Sequence, residues 1–350
     1  MEYSITDNTN FLSAPLTISF DITNKCMFKC LHCYNRSGDD LKRDELSDDE
    51  LLKIANDLSK LNLYSFCFCG GEALIRYDLI LKMCKILKKS GVKLNIVSNG
   101  WLIDNEKIIK LKKAGIEHIQ ISIDGNDSKT HDYMRNMPGS FDKAINALEI
   151  INRHNLQLSV AFCPTKFNID KFPLLVKKIS KYKNLTQIRT QPFMLLGRGS
   201  LNNIYPTEYQ YRNLIKFINK HNKYQNFPKI EWGDPIDHLI RWSDLNLKSN
   251  LYADIKSNGD ITASAYLPIV LGNLKKHSYI EYWNAGLNRC WDIPLVKEIA
   301  SKYSSISYLG SKIDNIPKIF FDKNIEFDLI DDNVFSNLKK YTIENILGGE

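Results

Sequence analysis

Over the first 200 residues of this 350-residue chain, strand-like stretches alternate with helical ones, and that alternation restricts the fold more than any other feature. Leu16–Thr23, Tyr64–Cys69, Lys93–Ser98, His118–Ile123, Gln157–Phe162 and Gln187–Phe193 are rich in β-branched and aromatic residues and read as strands. Between them the apolar spacing predicts helices from Ser47 to Leu61 and over Asp78–Ser90, Asn105–Ala114, Phe141–His154 and Ile169–Tyr182. Ser47 with Glu50 forms a capping box, and Gly91 and Gly115 stand where helices should end. Strands separated by helical crossovers pair in parallel with right-handed connections. The expectation is an α/β fold, a partial (β/α)6 TIM-like barrel, with its active site at the C-terminal ends of the strands.

That rule directs attention to the run CMFKCLHCY, which follows the first strand directly. Cys26, Cys30 and Cys33 are spaced C-x3-C-x2-C and supply three thiolates without an obvious fourth ligand. A [4Fe–4S] cube takes one cysteine per iron, so three leave one iron open to another ligand. A zinc site completed by His32 is the competing reading, although paired C-x2-C knuckles are its usual mark. Three cysteines within eight residues, flanked by Lys25 and Lys29, make a poor core segment.

The other strand ends carry polar groups or glycines as well. Gly70-Gly71-Glu72 follows the second strand, Ser98-Asn99-Gly100 the third, and Ser122-Ile123-Asp124-Gly125 the fourth. Glycines let backbone groups approach a ligand without a Cβ in the way. Ser122 and Asp124 are two apart, so on a strand both face one side, where they could bind ribose hydroxyls. Arg135 could pair with a carboxylate. Taken singly, each fragment is an ordinary turn or a surface charge; their succession at consecutive strand ends is what points to a site.

No apolar stretch at the N-terminus suggests a signal peptide, and no run is long enough to span a bilayer. The net charge of +7 is spread along helices, without a nucleic-acid-binding motif. Eight cysteines clustered mainly in the first half argue for free thiols in a reducing cytoplasm rather than a disulfide framework.

From Leu16 to Gly199 the chain resembles the radical S-adenosylmethionine superfamily, through C-x3-C-x2-C and the GGEAL sequence. The resemblance implies one [4Fe–4S] cluster on Cys26, Cys30 and Cys33, with S-adenosylmethionine chelating the fourth iron. It places His32 near the adenine, Gly70, Gly71 and Glu72 at the amine end, and Asn99, Ser122 and Asp124 along the sugar and methionine region. Arg135 would meet the carboxylate, and Leu195 or Leu196 would border the adenine. Implied chemistry is homolysis of the C5′–S bond and hydrogen abstraction by a 5′-deoxyadenosyl radical, with a flavodoxin- or ferredoxin-type electron donor.

SIDG, HDYMRNMPGSF, AFCPTKFN and PFMLLGRG further resemble the subgroup that modifies peptides, whose members carry C-terminal SPASM or twitch domains with auxiliary clusters. Past Gly199 the pattern changes: a helix near Thr207–Tyr224, loop-rich sequence, and a hairpin of Leu251–Ser257 and Asp260–Ala265 around Asn258-Gly259. Helices are expected at Tyr279–Trp283, Pro294–Lys302 and Asn333–Ile346. Where the SPASM scaffold has a cysteine after the hairpin, this chain reads Thr262-Ala263-Ser264-Ala265, and Cys290 is the one cysteine beyond position 163. The division expected is therefore a short segment 1–15, a barrel 16–200, and a smaller α+β SPASM/twitch-like domain 201–350 without auxiliary clusters. Such an enzyme would crosslink or epimerise a ribosomally made peptide. Its leader would be read by the barrel, the C-terminal domain or a separate leader-binding protein, since no recognition domain is expected ahead of the barrel. A small-molecule substrate (sugar, nucleoside or tetrapyrrole precursor) and a zinc-stabilised binding module are the alternatives. Cys67, Cys69 and Cys163 suit small core positions, and a pocket thiol among them could return a hydrogen atom.

Overall fold

A computed structural model describes residues 12–39, 44–225, 227–233, 235, 239, 250–303, 316 and 324–348. The alternation read from the sequence is realised as β1 (Thr17–Asp21), α1 (Asp48–Leu58), β2 (Ser65–Cys69), α2 (Tyr77–Leu87), β3 (Lys93–Ser98), α3 (Asn105–Ala114) and β4 (Ile116–Ser122). The series continues through α4 (Ser128–Arg135), α5 (Ser140–Arg153), β5 (Gln157–Phe162), α6 (Phe172–Ile179) and β6 (Leu185–Thr190). β1 to β6 pair in parallel and in chain order. α4 was not expected: of its buried residues, Thr130, His131 and Met134, one alone is apolar, too weak a stripe to read as a helix.

The strand series also runs one further than expected. After α7 (Glu208–Tyr224), β7 (Lys229–Trp232) joins β6 in parallel, Gln187 opposite Lys229 and Thr190 opposite Trp232. Four residues hold barely two periods of alternation, so the sequence reads there as loop.

On the other edge, β8 (Tyr252–Ile255) pairs in parallel with β1, Thr17 opposite Tyr252. The expected hairpin returns from it as β9 (Asp260–Thr262), with Asp254 opposite Thr262. β10 (Ile269–Asn273) and β11 (Ile325–Glu326) complete a continuous sheet of eleven strands. The helix expected over Asn333–Ile346 is instead two 3-10 turns and a short helix, Ile343–Leu347. The left-handed Asn333 starts the first turn, and Thr342 caps a new start by accepting from Asn345 N.

The sheet has two unlike faces. Phe20, Phe66, Phe68, Leu94, Ile96, Ile121, Val160 and Ile188 are buried and face the helices. Alternate positions point the other way and are polar or small: Ser19, Cys67, Asn95, Gln120, Ser122, Ala161, Gln187 and Arg189. One cavity of about 470 Å³ touches residues at the ends of β2 to β7 together with Tyr266 beyond β9. Flat, six strands would spread over roughly 24 Å, so a single cavity touching all of them requires the sheet to curl around it. Among the described residues β7 and β11 are its two edges, and they do not pair with each other.

Candidate active site

The loop after β1 is held by remote parts of the chain. Gly71 N–H donates to Thr23 O at 2.8 Å and Glu72 N–H to Lys25 O at 2.9 Å. A Cβ on Gly70 would lie 2.2 Å from Thr23 O, and one on Gly71 2.3 Å from Lys25 O. Gly70 also adopts φ +132, open to glycine and strained for other residues. From the other side Arg198 N–H donates to Cys33 O at 2.9 Å, its Nε to Cys30 O at 2.8 Å and its Nη2 to Ser37 O at 2.8 Å, while Nη1 pairs with Asp39. Arg198 was not singled out in the sequence, where it looks like one more surface charge within PFMLLGRG.

Held this way, Cys26, Cys30 and Cys33 all line the cavity. Burial pushes the Cys26 thiol up to about 12, against the opposing Phe28 N–H. Burial pushes Cys30 to about 11, with Arg135 opposing it. The polypeptide alone therefore keeps these two protonated, and a bound cation is what would convert them to thiolates. Their donor set is soft sulfur, as iron–sulfur ligation requires. The His32 Nδ1 atom, buried beside them, has no hydrogen-bond partner among the described residues. Three inward-facing thiols and a buried unpartnered imidazole nitrogen fit a cluster with a ligand on its open iron.

Of the other residues expected here, His32, Gly70, Gly71, Asn99, Ser122 and Arg135 line the same cavity. Glu72 does not reach it: its carboxylate is fully buried and accepts from Ser98 Oγ (2.9 Å), Asn99 N (2.8 Å) and Leu74 N (3.1 Å). It fixes the strand ends rather than facing a ligand. Asp124 does not reach the cavity either. β4 ends at Ser122, so the two-residue period stops before Asp124, whose carboxylate turns into a buried network. It lies 2.7 Å from Arg135 Nε and 3.3 Å from His32 Nε2, and accepts from Cys163 N at 2.9 Å. Burial raises its pKa, but Arg135 and His32 outweigh that and hold it below the usual value. His32 itself is pushed down to about 4 by burial, and so is neutral at pH 7. Arg135 Nη1 points at Cys30 Sγ, 3.8 Å away, linking this network to the cysteine loop. Leu195 packs with Met134, Phe193 and Ile204, and its neighbour Leu196 is the leucine that lines the cavity.

Beyond these, the cavity wall includes Tyr34, Gln120, Arg189, Gln191, Phe193, Glu231 and Tyr266. Arg189 Nε lies 3.1 Å from Glu231, and both side chains are substantially exposed. These were missed because they gather from the loop after β1, from β4, from β6 and the segment after it, from β7 and from the turn after β9, and no local spacing signals that convergence.

Residues 20–179 match the model of the Radical SAM superfamily, so the chain carries a radical SAM domain. Radical SAM enzymes use a [4Fe–4S] cluster and S-adenosylmethionine, the two cofactors the cavity's donors suit. Among curated relatives, an AdoMet-dependent heme synthase of Methanosarcina barkeri is 24% identical over 293 residues, covering 77% of this chain and 82% of that one. The mycofactocin maturase MftC of Mycolicibacterium smegmatis is 28% identical over 215 residues, 59% of this chain and 52% of that one, so this chain matches about half its length. In fold it resembles Streptococcus suis SuiB bound to S-adenosylmethionine, with TM-score 0.65 and 18% identity over 83% of this chain and 69% of SuiB. SuiB bound to its precursor peptide SuiA also matches, with TM-score 0.57.

Proposed function

We propose that this radical SAM enzyme modifies a ribosomally made peptide, forming a crosslink or changing a stereocentre. On this reading Cys26, Cys30 and Cys33 hold the cluster, and Gly70, Gly71, Asn99, Ser122, Arg135 and Leu196 line the place of S-adenosylmethionine. The cluster supplies one electron to the sulfonium when loaded, and a flavodoxin- or ferredoxin-type carrier delivers it. The chain's own part is positional: Arg198 and the Gly70-Gly71 turn fix the thiols, Asp124 orients Arg135 and His32, and the apolar wall at Phe193 and Leu196 excludes water.

What carries the peptide assignment is the far end of the cavity. Gln120, Gln191, Arg189 and Glu231 present amides and opposite charges there, and Arg189 remains 59% exposed. Such an end can hydrogen-bond a backbone while letting an extended chain pass, whereas a small molecule is normally enclosed. The names of MftC as a maturase and of SuiB's precursor peptide support the same reading. The AdoMet-dependent heme synthase relative, matched over most of both chains, favours a second reading, a tetrapyrrole precursor as substrate. A separate leader-binding protein is part of the peptide proposal. Reduced thiols suit a cytoplasmic enzyme, and no helix among the described residues is long and apolar enough to cross a membrane.

Anaerobic reconstitution tests the proposal. A brown protein that cleaves S-adenosylmethionine to 5′-deoxyadenosine, and takes deuterium from a labelled precursor peptide, supports it. Deuterium transfer from a porphyrin precursor alone would replace the peptide with the second reading, and a colourless zinc protein would end both.

A further inference from the structure

One row of the sheet's inner face crosses four strands. Ser122 on β4 stands opposite Ala161 on β5, Ala161 opposite Arg189 on β6, and Arg189 opposite Glu231 on β7. All four line the cavity. Ala161 adds only a methyl group between Ser122 and Arg189, which lie two strands and so roughly 10 Å apart. Charge in the cavity wall is unequal: the guanidiniums of Arg135, Arg189 and Arg198 stand against a single carboxylate, that of Glu231. Two of them are committed elsewhere. Arg135 Nε lies 2.7 Å from the buried Asp124, and Arg198 spends its nitrogens on the cysteine loop and Asp39. Arg189 uses Nε alone, 3.1 Å from Glu231 Oε2, an oxygen that also accepts from Gln187 Nε2. Neither of its Nη groups meets an acceptor among the described residues. Those two groups form the flat fork that matches a carboxylate.

We propose that Arg189 receives a carboxylate of the substrate and thereby selects which substrates the cavity accepts. This rests on the reading of the site given above, where the carboxylate belongs to an aspartate or glutamate of the peptide. A tetrapyrrole precursor bearing acidic side chains offers the same chemistry on the second reading. The guanidinium keeps Glu231 on Nε and takes the substrate on its two Nη groups, so no bond in the wall has to break. Glu231, itself held by Gln187, stops the fork from turning out to solvent. Gln120 and Gln191, also in the wall, offer amide N–H groups to the carboxylate's remaining lone pairs.

The row also sets a distance. Ser122 belongs to the region assigned above to S-adenosylmethionine, and the step from there to Arg189 equals about three residues of extended chain. The acidic residue of a peptide substrate therefore falls within about three positions of the modified one. Arg189 is 59% exposed, so water and salt screen the pair, and the preference is several-fold rather than absolute.

Two pools of end-blocked short peptides, alike except for glutamate or glutamine at the centre, test this. Each is equilibrated with the full-length enzyme loaded with its cluster and S-adenosylmethionine, and the retained fraction is read by mass spectrometry. The glutamate pool should be retained several-fold better, with the difference shrinking at high salt. Arg189→Gln should erase the preference, Arg189→Lys should keep part of it, and Arg189→Glu should turn it toward a pool with lysine at the centre. Lys85→Gln, exposed on α2, removes the same charge elsewhere and should keep the preference whole. A parallel arm compares coproporphyrin III with its tetramethyl ester. Preference for the free acid there alone, lost in Arg189→Gln, would support the carboxylate site and replace the peptide by the tetrapyrrole. Equal retention in both arms would overturn the proposal, as would an Arg189→Gln enzyme that loses S-adenosylmethionine while still preferring glutamate. 5′-Deoxyadenosine formed by an enzyme without any such preference would leave the radical reading standing alone. No 5′-deoxyadenosine from any preparation would bring down that reading and the carboxylate site with it.

Discussion

β1 and β8 lie side by side in one sheet, yet the turns that follow them are built in opposite ways. The turn after β8 supports itself from nearby residues: Gly259 N–H returns to Lys256 O at 2.9 Å, and Asn273 on β10 donates to Asn258 O at 3.1 Å and to Asp260 Oδ1 at 2.7 Å. The cysteine loop after β1 instead leans on Gly70-Gly71 and Arg198, which come from two other connections, and on Glu45 at the far end of its own. A hairpin whose polar groups satisfy one another needs no more. A loop that must aim three thiols into a cavity closes only short turns of its own, such as Cys33 N–H to Cys30 O at 3.2 Å and Gly38 N–H to Asn24 O at 3.3 Å, and distant residues supply further bonds.

The contrast can be broken most forcefully at its centre. Cys30→Ala should abolish iron binding and 5′-deoxyadenosine formation together, as read by iron content and chromatography. Next, Arg198→Ala removes a nearly buried guanidinium that holds two carbonyls and Asp39, and should cost about 3 kcal/mol or more. Urea unfolding and faster iron loss to a chelator would show it; unchanged iron retention would mean that the loop supports itself after all. Asn273→Ala loosens the other turn by about 1 kcal/mol, and Cys290→Ala, fully buried beside Trp291, by a similar amount. Both should keep a full complement of iron, and iron lost from Cys290→Ala would assign that thiol a ligand's part.

A separate effect, spread over the strand–helix half, is acid sensitivity. Burial holds His118 and His131 down to about 4. In the unfolded chain they take up protons near pH 6.5, so their contribution is complete above that value and lost as pH falls toward 4. The slope should be on the order of 1–3 kcal/mol over that window, visible as a falling Tm and shallower in His118→Asn.

Much of this was legible beforehand, for identifiable reasons. Strands β1 to β6 and their helices, α4 apart, follow clear apolar periods, and Asn258-Gly259 is a turn signal that works within a few residues. The cysteine spacing is equally local. What escaped depends on tertiary arrangement: β7 is too short for its period to register, and Arg198 has meaning only against the carbonyls it reaches. Asp124 was misplaced because the period of a strand was carried past the end of that strand. Leu195 and Leu196 could not be separated without knowing where the chain turns.

The pairing of Thr17 with Tyr252 has a bearing on biogenesis. The strand that launches the cysteine loop gains its second neighbour only after most of the polypeptide has left the ribosome. Until then β1 is a bare edge, open to pairing with other nascent chains. Metallation before release would therefore act on a half-supported loop, and a truncated product ending near residue 200 should aggregate rather than mature.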